Sequence, residues 1–151
     1  MPIFRNSFIV DCNIDKVWKF YTDVKHVEVI TPKEIQLRIV RTTSQTLMQG
    51  TDVWLSGKLI LRHTWHSKIT YLKPYEYVDE MLSGLFKKWK HLHKFRKIDE
   101  NKTAVIDEID FELPLGFLGR MFEGYTYDRI RQIFVYRQTV TANALESSWT
   151  V

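Results

Sequence analysis

The sequence is poor in the residues that define several specialised classes of protein. It has one cysteine, Cys12, so no disulfide can form within the chain, which fits a reducing compartment such as the cytoplasm. Its 6 glycines and 4 prolines are too few for a collagen-like or low-complexity chain. No stretch approaches the roughly 18 consecutive apolar residues of a membrane-spanning helix, and the opening residues do not predict a secretion signal. We therefore expect a cytoplasmic globular protein.

Length and charge narrow the class further. The 151 residues are enough for one domain with its own core, so we predict a single domain over residues 1–151. Basic residues exceed acidic ones by 22 to 18, a mild excess that permits an acidic partner or a membrane surface without requiring either. Aromatic residues are plentiful, and their rings need either a well-packed core or a cavity with flat apolar walls.

The first third of the chain predicts a strand followed by helices. Residues 3–10 are apolar and rich in β-forming side chains. Asn13 is a good N-cap, and apolar residues at helical spacing follow it over residues 14–21, which predicts a short amphipathic helix. A second short helix is expected over residues 24–29, and Pro32 ends it because the residue before a proline avoids helical angles.

Residues 34–113 change to the alternating pattern of strands. Because no helical segment intervenes, the strands should form an antiparallel meander. Residues 120–145 contain no proline and carry a broad apolar face, which predicts a long C-terminal helix that covers the sheet; residues 146–151 are expected to fray. The predicted strands lie near residues 35–40, 50–55, 63–72, 75–82, 86–98 and 103–113.

Strand alternation assigns one face of residues 86–98 to the interior. The other face is mainly lysine and arginine, whereas the interior face consists of Trp89, His91, His93 and Phe95. A basic run with interleaved rings could bind nucleic acid. Alternation puts the rings and the charges on opposite faces, however, which favours a solvated strand, and no nucleic-acid partner is predicted.

Asp107 is a carboxylate on the apolar face of the last strand, residues 103–113. The hairpin register places it opposite His93 or Phe95, and in both cases within reach of His93. Such a pair could simply fix the register, because buried charges must be paired, or it could supply a general base. His91 and His93 could share a metal ion, but no Cys or Glu accompanies them at a familiar spacing, so we predict neither a metal nor a cofactor.

The concave face of the sheet is predicted to combine large rings with a few polar groups, as small-molecule pockets do. A solid aromatic core without a cavity is the alternative. The candidate catalytic residues are His93 and Asp107. The candidate ligand-binding residues are Trp65, Tyr71, Tyr77, Asp79, Trp89, His91, His93, Phe95, Asp107, Phe111, Phe122, Ile130 and Phe134.

Motifs along nearly the whole chain resemble a known superfamily. They lie at residues 14–21, 30–32, 50–51, 65–69, 77–79, 84–95, 113–116 and 134–137, and the Trp-x-His-x-His-x-Phe stretch with a later Leu-Pro-x-Gly is the most specific. These motifs resemble the helix-grip (SRPBCC) superfamily of START lipid-binding domains, polyketide cyclases and aromatases, and plant pathogenesis-related class 10 proteins. The narrower likeness is to small prokaryotic polyketide cyclase/dehydrase-like ligand-binding proteins.

The resemblance implies an α+β helix-grip fold. About seven curved antiparallel strands would wrap around a long C-terminal helix, and two short helices would follow the first strand. Members bind hydrophobic or aromatic ligands in a deep cavity between sheet and helix, and a minority catalyse cyclisation or dehydration. We therefore predict a protein that binds a small hydrophobic or aromatic molecule, such as a lipid, a quinone or a polyketide. The alternative is a cyclase/dehydratase-type enzyme that uses His93 and Asp107.

A third interpretation concerns residues 115–118, which lie in the break at residues 114–119 between the last strand and the long helix. This loop could be a hinge, a lid or a plain turn, and it could dock the protein on a lipid surface or another protein. We predict no stable membrane insertion, and a homodimer stays open.

Overall fold

The computed structural model describes residues 2–58 and 61–146. In this part of the chain one seven-stranded antiparallel sheet has the strand order β1-β7-β6-β5-β4-β3-β2. The strands are β1 (Ile3–Val10), β2 (Arg38–Thr42), β3 (Asp52–Lys58), β4 (Arg62–Lys73), β5 (Glu76–Ser83), β6 (Lys88–Asp99) and β7 (Lys102–Glu112). The helices are α1 (Ile14–Thr22), α2 (His26–Val29), a 3-10 turn (Lys33–Ile35), α3 (Phe117–Met121) and α4 (Glu123–Glu146).

The α+β architecture and the order of the elements confirm the helix-grip prediction. Helix α1 begins as predicted, because the Asn13 side chain accepts a hydrogen bond of 2.9 Å from the backbone N–H of Asp15. Its apolar stripe, which includes Val17 and Phe20, is buried against the sheet. The strands from β2 to β6 each pair with the next one along the chain, and β1 pairs with β7. The first strand therefore forms one edge of the sheet, next to the last strand of the meander.

Strand β2 begins later than the alternation predicted. Residues Lys33–Ile35 form a 3-10 turn, and Gln36 follows in the left-handed region with φ of 50°. Extended pairing is therefore possible only from Arg38 onward. Ile35 is nevertheless buried, so the apolar pattern identified its environment correctly but not its backbone conformation.

The register of β4 shifts between Ile69 and Tyr71, where it pairs with β5. A bulge of this kind adds one residue to one strand and so exchanges the faces of the residues that follow. Tyr71 was predicted to face inward, and this prediction is wrong because Tyr71 lies on the outer face with 38% of its surface exposed. Leu72 takes the inward position and packs against the core.

The C-terminal helix is interrupted near its start. Leu115 and Gly116 have φ of 70° and 52°, α3 follows them, and the chain leaves helical geometry at Phe122 before α4 begins. Phe122 was predicted to face the cavity, but at the break its ring points into solvent and is 60% exposed. Further along α4, Ile130 and Phe134 pack on the apolar rings of β1 and β7. Residues 147–151, predicted to fray, lie outside the described residues.

None of the described helices is both long enough and apolar enough to cross a lipid bilayer.

Two glycines at the start of the C-terminal helices have opposite surroundings. A Cβ atom on Gly119 would lie 2.1 Å from the backbone oxygen of Pro114, whereas one on Gly124 would meet nothing within 4 Å. We expect Gly119→Ala to lower the free energy of unfolding by about 1–3 kcal/mol. Gly124→Ala should raise it by up to about 1 kcal/mol, because alanine favours a helix over glycine. Urea unfolding followed by circular dichroism measures both, and equal effects of the two variants would contradict this packing.

Candidate ligand-binding cavity

A cavity of about 460 Å3 lies between the concave face of the sheet, the segment around α2, and α4. Its walls are mainly apolar, and its polar groups include a histidine–aspartate cluster on β5 and β6 and two arginines on α4. The structure therefore departs from the solid aromatic core that the sequence left as an alternative. Most of the predicted binding residues line this cavity: Trp65, Tyr77, Asp79, Trp89, His91, His93, Ile130 and Phe134.

The other predicted binding residues do not line the cavity. Phe95 and Phe111 are buried in the core below its floor. Asp107 is buried too, behind the cavity wall, where it is in contact with His91. Tyr71 and Phe122 lie on the outside for the reasons given above, the bulge in β4 and the break before α4.

Several lining residues were not identified from the sequence. One group comes from the segment that leads into and through α2, where Val24, Val27 and Ile30 line the cavity. Their spacing of three residues is a signal for one helical face and could have identified them. A second group is basic, namely Arg129 and Arg137 on α4. No local pattern distinguishes these two arginines from the solvent-exposed charges of the same helix.

The polar part of the wall contains two histidine–aspartate pairs. The register places His93 opposite Asp107 and His91 opposite Asp79, so the predicted proximity of His93 to Asp107 is confirmed. The hydrogen bonds run diagonally, however. Nε2 of His93 donates to Oδ2 of Asp79 over 2.6 Å, and Nε2 of His91 donates to Oδ1 of Asp107 over 2.8 Å. Each histidine thus bonds to the carboxylate that lies opposite the other one.

Ring stacking explains why the pairs cross. The imidazoles of His91 and His93 stack with their centroids 3.6 Å apart and their planes at 28°. Tyr77 stacks on the other face of His93 at 4.2 Å, and Phe134 meets the edge of His91 at 5.6 Å. These contacts fix the planes of both rings, so each ring presents one nitrogen toward Asp79 and the other toward Asp107.

The protonation states follow from burial and from this pairing. Burial, assisted by the neighbouring His91, lowers the pKa of His93 to about 4, so its ring is neutral at pH 7. Burial alone would raise the pKa of Asp79 and of Asp107. The hydrogen bonds from the two histidines, helped by nearby positive charge, outweigh burial and hold both pKa values below the ordinary range. Two ionised carboxylates therefore stand in the cavity wall or directly behind it.

Arg137 brings positive charge to the same region from α4. Its guanidinium carbon lies 4.8 Å above the ring of Phe134, a cation–π contact. Its charge also helps to lower the pKa of Asp79 and of Asp107. Its side chain lines the cavity, so its guanidinium can donate hydrogen bonds into that space.

The loop that the third interpretation singled out lies beside α3. Leu115, Phe117 and Leu118 are exposed, as is Met121 on the same short helix. These apolar side chains follow directly on Leu113, which lines the cavity. A docking role for this loop stays a prediction.

The fold and the cavity together define a helix-grip protein of the START and polyketide-cyclase type. The model of the family described as "Polyketide cyclase / dehydrase and lipid transport" matches residues 10–134. The chain belongs to this family, whose fold is a ligand-binding one. The search of curated proteins found no match.

Solved structures share the fold at low sequence identity. The protein TTHA0849 from Thermus thermophilus superposes with a TM-score of 0.78 at 12% identity, covering 99% of this chain and 100% of that one. A START superfamily protein from Mycobacterium smegmatis gives 0.74 at 11%, covering 96% and 97%. The Zhui aromatase/cyclase from Streptomyces sp. R1128 gives 0.68 at 15%, covering 95% and 90%. At these identities the similarity establishes the fold alone.

The cavity wall next to Tyr77 yields a pH prediction. The Tyr21 hydroxyl pairs with Oγ1 of Thr141 over 3.0 Å, and both residues are buried. Burial raises the pKa of Tyr21 to about 12. Because this pKa is higher in the folded than in the unfolded protein, the protonated Tyr21 hydroxyl contributes its full stabilisation below about pH 10. Between pH 10 and pH 12 that contribution to the free energy of unfolding falls by about 1.4 kcal/mol per pH unit.

Tyr21→Phe should therefore reduce the steepness with which the free energy of unfolding falls between pH 10 and pH 12. Urea unfolding at a series of pH values measures this slope. Tyr125→Phe is the matched control, because Tyr125 is 62% exposed, and it should keep the wild-type slope. A wild-type slope in Tyr21→Phe would contradict the assignment.

Proposed function

We propose that this protein binds a small hydrophobic or aromatic molecule in the cavity between the sheet and α4. The observation that carries the proposal is the cavity itself, with about 460 Å3 of space inside mainly apolar walls and a minority of polar groups that include Asp79, His91 and His93 on β5 and β6. Apolar walls supply affinity in such pockets, and a few placed polar groups orient the ligand. The family description, which includes lipid transport, supports the same conclusion.

The size of the cavity is compatible with useful affinity. Burying about 300 Å2 of apolar ligand surface contributes about 7 kcal/mol. Micromolar binding corresponds to about 8 kcal/mol, and association also has an entropic cost. Apolar burial therefore needs the help of a few polar contacts, which Asp79 and Arg137 can provide to a hydroxyl or a carbonyl group. We place this binding in the cytoplasm, where the buried thiol of Cys12 would stay reduced.

The arrangement of His93 favours binding over general-base catalysis. Its Nε2 is engaged by Asp79, and its Nδ1 is turned toward Asp107, which lies behind the cavity wall. With a pKa of about 4 the imidazole is also a weak base at neutral pH. An enzyme that uses His93 and Asp107 is therefore the less supported proposal.

A larger side chain introduced on β4 tests this proposal by filling part of the cavity. Ser67 is buried and lines the cavity on β4, and Thr70 is exposed on the same strand. We expect Ser67→Phe to weaken binding of the apolar fluorophore N-phenyl-1-naphthylamine by about 10-fold or more, since the new ring occupies ligand space. Thr70→Phe should bind it as the wild type does. Fluorescence titration measures both.

Thermal melts of the two variants supply the control for folding. A cooperative transition in Ser67→Phe, together with weakened binding, supports the proposal. Wild-type affinity in a folded Ser67→Phe variant, or no binding by the wild type, would contradict it.

A further inference from the structure

We propose that Asp79, His91 and His93 bind a divalent transition-metal ion, for which Zn2+ is the probe, in the wall of the cavity. One ligand atom from each residue lies within 4.8 Å of the other two. Two imidazoles and one carboxylate form a donor set that suits zinc and other first-row divalent ions, and it leaves one coordination position open.

The distances are close to those that an ion would require. Oδ2 of Asp79 lies 2.6 Å from Nε2 of His93 and 3.7 Å from Nδ1 of His91. A tetrahedral ion with bonds of about 2.0–2.2 Å holds its ligand atoms about 3.3 Å apart. The two observed separations lie on either side of this value. No separation among the three ligand atoms exceeds 4.8 Å, so an ion that replaces the proton between Asp79 and His93 needs movements of up to about 1.5 Å.

An unpartnered atom is the second, independent observation. Nδ1 of His93 is buried without a hydrogen-bond partner, in a residue that is only 5% exposed. This nitrogen lies 3.5 Å from Oδ1 of Asp107. Because the ring is protonated on Nε2, Nδ1 carries a lone pair that points at the carboxylate instead of a proton that could bond to it. Such an orphaned buried atom is costly and needs an explanation.

Metal binding would satisfy that atom. When Nε2 of His93 ligates the ion, its proton is lost to solvent, and Nδ1 takes up a proton that it can donate to Asp107. No net proton is released in this exchange. His91 already has this arrangement, because Nε2 donates to Asp107 while Nδ1 faces Asp79. Both histidines would then have a carboxylate behind them, as metal-ligating histidines generally do.

The charge of the site also favours a cation. Within the described residues Asp79 and Asp107 form close ion pairs with the two histidines alone. Arg137 acts on them without direct contact, so two negative charges, buried on Asp107 and half-buried on Asp79, are only partly compensated. A divalent ion would neutralise them. Its open coordination position would face the cavity and could take an oxygen atom of a bound ligand. This last consequence rests on the proposed function, whereas the ion site itself does not depend on it.

The first test uses tag-free protein and the metal alone. Equilibrium dialysis with Zn2+ should give one ion per chain, and Mg2+ should not compete, because imidazole ligands disfavour it. Asp79→Asn and His93→Gln should each lower the Zn2+ affinity by about 100-fold or more, and Asp107→Asn by about 10- to 100-fold. The control is His66→Gln, which breaks the comparable pair of His66 and Asp52 on β3 and β4 and should leave the affinity unchanged.

The second test needs no variant, so it holds even if a substitution in this buried network prevents folding. Long-range 1H–15N spectra of the wild type report which ring nitrogen carries the proton. We expect His93 to carry it on Nε2 without metal and on Nδ1 with Zn2+. The proposal is overturned if the wild type does not bind Zn2+, if His66→Gln abolishes binding, or if His93 keeps its Nε2 proton at saturation. These outcomes are independent of N-phenyl-1-naphthylamine binding, so failure here differs from failure of the proposed function.

Discussion

Two neighbouring carboxylates, Asp107 fully buried and Asp79 half-buried, constrain the rest of the structure. An ionised carboxylate removed from water must be paired, and here each one is paired by a histidine from β6. The pairs link β5, β6 and β7, since Asp79 and Asp107 belong to the strands on either side of β6. A slip of β6 by one residue would turn Lys90 and Lys94 inward and both histidines outward, so neither carboxylate would keep its imidazole partner. The register, the inward face and the polar part of the cavity therefore depend on one another.

The strongest sequence patterns predicted the elements that surround this network. In β6 and β7 lysines or acidic residues alternate with rings and histidines, and the outer rows pair across the hairpin, as Lys88 and Asp110 do over 2.6 Å. The N-cap and apolar spacing likewise predicted α1. These patterns repeat over a whole element, so one exceptional residue does not obscure them. The predictions that failed, for Tyr71 and Phe122, each follow from a single irregularity, a bulge or a helix break, that leaves no periodic signal.

The partners within the site were less predictable than its members. Register arithmetic identifies residues that lie opposite each other, and it left His93 or Phe95 opposite Asp107, of which the structure has His93. It does not give the orientation of the rings, which depends on the stacking of Tyr77, His93 and His91 in three dimensions. Asp79 therefore became the partner of His93, although it lies on a different strand from the carboxylate that the hairpin suggested. The sequence also did not predict a metal site at the two histidines, because Asp79, the third ligand of the proposed site, lies on a different strand.

The network also determines what a ligand meets when it enters the cavity. The side chain of Asp79 is 21% exposed, whereas those of His91, His93 and Asp107 are almost fully buried. Asp79 is therefore the member that an incoming polar group contacts first, and as a carboxylate it can only accept hydrogen bonds. A ligand hydroxyl can donate to Asp79 while His93 keeps its bond, because each carboxylate has several acceptor sites. A carbonyl group cannot donate to Asp79 and would need a donor such as Arg137, which lines the cavity from α4.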